Sequence, residues 1–150
     1  MKNSIGLLLV LMGSFFLSCK DQTVSLEIDP VSFSLIDDHV LSESSSTFNA
    51  VFLVSGKSCF ACSEDIVHYI NDFEGGKHEV TVIGNDPQIK EVLNKDIKYV
   101  GLEQLELERH GFKMSDSEIY VFDNEDLIYQ NIVSESEFEN INKIMKELNE

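Results

Sequence analysis

Apolar positions along this chain change spacing from one segment to the next, and the spacing predicts most of its elements. Val24, Leu26 and Ile28 alternate with polar residues, as in a half-buried strand over Thr23 to Asp29. Pro30 breaks that run, and Val31, Phe33 and Leu35 alternate again, so a second short strand is expected there. Residues 42–47 are a Ser-rich loop. Thr47 to Val54 is apolar at successive positions, the pattern of a strand covered by helices on both faces. From Cys59 to Phe73 the apolar residues Ile66, Val67, Ile70 and Phe73 fall on one helical stripe. Ser58 is the expected N-cap of that helix, and Gly75-Gly76 its stop.

The second half continues in the same way. Glu79 to Ile83 is rich in strand formers. Gly84-Asn85-Asp86-Pro87 is a turn, with Pro87 suited to the first helical position of a short helix through Leu93. A strand is expected around Tyr99-Val100 and a helix over Leu102 to His110. Ile119-Tyr120-Val121-Phe122 lies in a strand over Glu118 to Asp123. Asp123-Asn124-Glu125-Asp126 is a hairpin turn, and Leu127 to Val133 returns. Ser134 and Glu137 have capping-box spacing before a helix whose face carries Phe138, Ile141, Ile144, Met145 and Leu148. The order is β-α-β-α-(α)-β-β-α, an α/β chain with a central mixed sheet flanked by helices.

The N-terminus follows a different logic. Lys2 precedes an apolar stretch from Ile5 to Leu17 that is short for a membrane span, which needs about 20 apolar residues. A basic start, a short apolar region and a small residue before the cut describe a secretory signal peptide. Here the stretch closes on Leu17-Ser18-Cys19, which resembles a bacterial lipoprotein signal, and that resemblance implies removal of residues 1–18 and lipid on Cys19. An ordinary signal peptide with an incidental Cys, or an uncleaved anchor, is the alternative. Residues 19–46 then form a tether and N-terminal extension with possible strands, and 47–150 one domain large enough for its own core.

Charge narrows the partners. The formal net charge is −16, which excludes the basic patches that nucleic-acid binding needs, and also electrostatic docking on anionic lipid. Solubility accounts for the acidity, and the acidic residues of the last helix, Glu135, Glu137, Glu139 and Glu147, read as a solvated face.

Cys59-Phe60-Ala61-Cys62 carries the chemistry. It follows an apolar strand and the turn Ser55-Gly56-Lys57-Ser58, and it opens a helix. A helix N-terminus favours a thiolate over a thiol, so Cys59 becomes a nucleophile and Cys62 is close enough to close a disulfide. Such a bridge closes a very small loop and gains little chain entropy, which makes a purely structural role unattractive. Lys57 either raises the thiolate population or is an ordinary solvated turn lysine. A secreted chain meets an oxidising or redox-managed compartment, where this pair can cycle.

Strand order and motif together resemble the thioredoxin-like family over about residues 47–148. They look most like the lipoprotein thiol–disulfide oxidoreductases of the cell envelope of Bacteroidetes-type bacteria, and Lys20-Asp21 after Cys19 is similar to the start of lipoproteins from that group. The resemblance implies a thioredoxin-like fold. Cys59 and Cys62 become its redox-active centre, with Cys59 as attacking and Cys62 as resolving cysteine. It also implies a protein dithiol or disulfide partner, membrane attachment through lipid on Cys19, and no organic cofactor. Three positions depart from the family. Ser58 stands where Trp is usual, Leu53 where a buried carboxylate is frequent, and Ser117 where a cis-proline faces the cysteines. A cis bond before a non-proline residue costs about 2.5–4 kcal/mol, so Ser117 is expected in trans. These departures keep a rival open: a non-enzymatic binding module that uses the surface around Phe60 for protein contact, or its thiolates for metal. The histidines add little. His68 points away from the cysteine pair around the helix, His39, His78 and His110 are isolated, and no closed zinc-ligand spacing exists.

Overall fold

The computed structural model describes residues 28–55, 60–73, 75–113 and 115–150, with the backbone alone for 60–63. Its first element corrects the sequence expectation. Val31, Phe33 and Leu35 lie not in a strand but in a helix, α1 (Pro30–Ile36), which runs on into a π-helical segment over Asp37–Leu41. The strand expected over residues 23–29 lies mostly outside the described residues, and Ile28 and Asp29 are not in a strand. Asp29 caps α1 by accepting from the Val31 N–H at 3.1 Å, and Pro30 takes the first helical position, where its missing N–H costs nothing. The buried positions are Ser32, Leu35, Ile36 and Val40, which is helical spacing, while Val31 is exposed.

From here the chain follows the expected order with one strand added, β3, between the two short helices: β1 (Phe48–Val54), α2 (Phe60–Asp72), β2 (Glu79–Gly84), α3 (Pro87–Val92), β3 (Lys98–Gly101), α4 (Gln104–Arg109), β4 (Glu118–Asp123), β5 (Asp126–Ile132) and α5 (Phe138–Asn149). The five strands form one mixed sheet in the order β3-β2-β1-β4-β5. β1 is parallel to β2, β2 is parallel to β3, and β4 is antiparallel to both β1 and β5. β1 is therefore central and buried along nearly its whole length.

Alternation along β1 divides the core. Phe52 and Val54 face a cluster with Ile66, Val67, Tyr69 and Ile70 of α2, and with Ile141 and Met145 of α5. Val51 and Leu53 face a second cluster with Leu35, Ile36 and Val40, and with Leu107 and Phe112. Helices thus cover both faces of the sheet. Each large buried side chain contributes roughly 1.5–3 kcal/mol of transfer free energy.

Two helix boundaries use local chemistry. Asp86 caps α3 by accepting from the Gln88 N–H at 2.9 Å. α4 ends in a paired closure, Phe112 N–H to Leu107 O and Gly111 N–H to Glu108 O, both 3.1 Å, with Gly111 at φ 81°. The capping box expected at Ser134 does not form. Ser134 exchanges a hydrogen bond with the Ser136 hydroxyl at 3.0 Å, a 3₁₀ turn occupies Glu135–Glu137, and α5 begins one residue later. The Glu137 carboxylate accepts instead from the Asn131 and Asn140 side chains, both at 3.3 Å.

Candidate functional site

The candidate site lies at the C-terminal end of β1, where that strand leads toward α2. Cys62 is the third residue of α2, so its backbone belongs to the first helical turn. Cys59, Lys57 and Ser58 lie outside the described residues, as does Cys19. The side chains of Phe60 and Cys62 do too.

Ser117 is described in full. It is buried just before β4, and its hydroxyl accepts a hydrogen bond from the Ser55 N–H at 3.3 Å. Its carbonyl accepts from the Val133 N–H at 2.8 Å. One residue therefore joins the end of β1, the start of β4 and the end of β5. No cis peptide bond occurs among the described residues, so the bond before Ser117 is trans. Leu53 is also described: it is 1% exposed and packed in the core cluster of α1 and α4.

Beside Ser117 a cavity of about 310 Å³ opens between α2, the loop before β4 and the 3₁₀ turn. Ile66, Val133 and Phe138 form its apolar side, with Ile132 exposed at the mouth. Phe138 is fixed by a parallel stack on Tyr69, with centroids 4.0 Å apart. The Tyr69 hydroxyl donates to Asn142 Oδ1 at 3.0 Å, and burial pushes that phenol well above its ordinary pKa. The wall is thus a neutral aromatic pair held between α2 and α5. Asp65, Asp116 and Glu135 supply the charge at the cavity, and Ser115 donates to the Asp116 carboxylate at 2.9 Å.

Sequence reasoning did not single out Asp65 or Asp116. Two signals could have found them: Asp65 lies three residues past Cys62, and Asp116 directly precedes Ser117. Glu135, read as part of a solvated helix face, is exposed but belongs to the 3₁₀ turn at the cavity rather than to α5.

The histidines stand apart from this site. His68 is exposed on α2. His39 Nε2 is 4.0 Å from a Glu106 carboxylate oxygen, and His110 Nδ1 is 2.9 Å from the Glu106 carbonyl. His78 is buried on the Gly75 carbonyl. Among the described residues no group of three His, Cys, Asp or Glu side chains is arranged to hold a metal ion. Among them, too, no helix is long and apolar enough to cross a membrane. No family model matches this chain, and no curated protein matches its sequence.

Proposed function

We propose that this chain is a lipid-anchored, extracytoplasmic thiol–disulfide exchange protein of thioredoxin-like fold, with Cys59 and Cys62 as its working pair. The observation that carries the reading is the bond between the Ser55 N–H and the Ser117 hydroxyl, which sets the loop before β4 against the end of the strand leading to the cysteine motif. The parallel β1–α2–β2 unit followed by the antiparallel β4–β5 hairpin and α5 is compatible with that fold.

In the proposed reaction the Cys59 thiolate attacks one sulfur of a partner disulfide. A mixed disulfide forms and the partner's other sulfur leaves as a thiolate. Cys62 then attacks the Cys59 sulfur and frees the second partner thiol, so the pair is oxidised by two electrons as the partner is reduced. The same steps run backwards if the partner arrives as a dithiol.

A binding module that keeps the fold without turnover is the second reading. It is favoured by Leu53, buried where the family often carries a carboxylate, and by the trans bond at Ser117. Insulin reduction and a zinc titration on one sample separate the two. Under the exchange reading Cys62→Ser traps mixed disulfides through Cys59, Cys59→Ser does not, and Cys59 alkylates faster in the reduced protein. Equal trapping by both variants would overturn the roles, and zinc uptake without insulin reduction would favour the binding module. Cys19→Ala tests the anchor separately: lipid labelling and membrane retention should both be lost.

A further inference from the structure

A second cavity, of about 460 Å³, lies at the N-terminal end of β1, the opposite end of that strand from the cysteine motif. Three segments enclose it: the π-helical segment through Asp37 and Leu41, the Ser-rich loop, and the β4–β5 hairpin turn through Asn124 and Glu125. Hydrogen bonds hold them in place. The Asn124 N–H donates to the Thr47 carbonyl, the Ser44 hydroxyl to the Glu79 carboxylate at 2.8 Å, and the Lys98 ammonium to the His39 carbonyl at 3.1 Å. The space is thus preformed, as small-molecule sites usually are.

Its inner end is Asn49, 2% exposed, whose Oδ1 has no hydrogen-bond partner. A buried amide oxygen is costly to leave unpaired, and most are paired in folded proteins. The protons around it are largely committed to the protein itself. Ser42 donates its hydroxyl to the Asp38 carbonyl at 3.2 Å, and Ser46 to the Phe48 carbonyl at 2.9 Å. Asn49 Nδ2 donates to the Ser46 carbonyl at 3.1 Å, and Asn124 Nδ2 to the Asp123 carboxylate at 2.9 Å. What remains toward the cavity is rich in acceptor oxygens.

The lining narrows the ligand. Among the described lining residues there is no Lys, Arg or His, so an anion finds no counter-charge. Leu41 is the one large apolar side chain, so a lipid or a flat aromatic finds no wall. A metal ion would leave most of the volume unfilled, and among the described residues no three His, Cys, Asp or Glu side chains are arranged around one. A neutral ligand with several hydroxyls fits better. Each O–H supplies a proton to an acceptor, and each ligand oxygen can accept a remaining amide N–H.

We propose that this cavity binds a neutral polyhydroxyl ligand the size of a single pyranose ring, with one hydroxyl donating to Asn49 Oδ1. The proposal is independent of the exchange reading, because it uses neither cysteine of the motif and lies at the other end of β1.

The test uses the full chain in a neutral detergent free of sugar, with the methyl glycosides of glucose, galactose and mannose as probes. Saturation-transfer NMR should give a saturable signal for at least one of them. The per-O-methylated form of that probe keeps the ring but has no O–H donor, and should give none. Asn49→Ala should weaken binding about ten-fold, as loss of one buried hydrogen bond does. Asn124→Gly suits the φ of 55° at that position and removes only a rim amide, so about a two- to three-fold loss is expected. Asn140→Ala, exposed on α5, should bind as the wild type does.

No saturable signal from any of the three probes, or an equal signal from the per-O-methylated form, would overturn the proposal. Wild-type affinity in Asn49→Ala would overturn the role of its amide oxygen. If Asn49→Ala fails to fold, Asn124→Gly against Asn140→Ala decides, and equal affinities there would overturn the site. A probe signal abolished by calcium chloride would reassign the cavity to a cation.

Discussion

The two faces of the sheet are built on the same central strand but by different kinds of helix. The face that receives Phe52 and Val54 is covered mainly by α2 and α5, helices of 13 and 12 residues. An aromatic set ties it together: Phe52 meets Phe73 edge-on at 5.0 Å, and Tyr69 stacks on Phe138. The opposite face receives Val51 and Leu53 and is covered by α1, of 7 residues, its π-helical continuation, and α4, of 6 residues. Short helices of this kind have little stability of their own and hold their shape through caps and packing. The candidate site grows from the long-helix face, through α2, while the short-helix face closes the core behind it. A site that has to present side chains in fixed directions is better served by the more continuous scaffold.

The largest expected effect tests how closed the short-helix face is. Leu53→Asp places a carboxylate at a position 1% exposed, among Leu35, Ile36 and Ile83. The expected loss is about 4 kcal/mol or more, read as a shift in the urea midpoint at pH 7. Part of it should return as the pH falls, because burial raises the pKa of the introduced acid and its neutral form is cheaper to bury. A loss under about 1 kcal/mol would mean that this face admits water and tolerates a carboxylate.

The next effect asks whether α1 belongs to the cooperative unit or merely leans on it. Leu35→Ala removes a side chain 1% exposed from the same cluster and should cost about 2–5 kcal/mol in a single unfolding transition. An unchanged midpoint would make residues 30–41 an appendage and break the comparison of two faces of one cooperative core.

A smaller effect concerns how α4 ends. Gly111 sits at φ 81°, and a Cβ built there would lie 3.2 Å from the Ser32 hydroxyl, which itself donates to the His110 carbonyl at 2.6 Å. Gly111→Ala should cost about 1–2 kcal/mol, the penalty of a left-handed residue with a side chain. If α1 is displaced as well, Leu35→Ala and Gly111→Ala will not add, because both act on the contact between α1 and the end of α4.

The same contrast explains what the sequence revealed. α2 and α5 were legible because their apolar stripes run for three turns, long enough for the helical period to stand out. β1 was legible because every position from Ala50 to Val54 is apolar and buried, as a doubly covered strand requires. α1 was not, because Val31, Phe33 and Leu35 mimic alternation over a window too short to separate the two periods. The deciding signal is Asp29-Pro30, a cap followed by a proline at the first helical position, although the same proline also fits the end of a strand. Ser134 and Glu137 misled in the opposite sense. Their spacing was right, but Glu137 is engaged by Asn131 and Asn140 and the chain forms a 3₁₀ turn first. At the site, Ser117 could be placed by counting along β4. The carboxylates Asp116 and Glu135 gather only through tertiary packing, which leaves no period in the sequence.

The smallest expected effect is a pH dependence at the base of the long-helix face. His78 is 6% exposed, between α2 and β2. Its Nδ1 lies 3.0 Å from the Gly75 carbonyl, and a carbonyl only accepts, so Nδ1 carries the proton. The Phe48 ring meets it edge-on at 5.5 Å. Burial holds its pKa below the ordinary histidine value, and Lys77 adds to this. The Gly75 carbonyl, Asn149 and Asp123 pull the other way without reversing it. The unfolded chain therefore binds a proton more readily than the folded one, and stability rises with pH between the two values. The contribution is fully present above the unfolded value, about 6.5, and is lost as the pH falls below it toward the folded value. Urea midpoints measured from pH 7.5 down to pH 5 should fall more steeply for the wild type than for His78→Gln, which cannot titrate. Parallel curves would show that His78 accepts its proton without disturbing the fold. The junction of α2, β2 and the Asn149 end of α5 would then be looser than the stacked core above it.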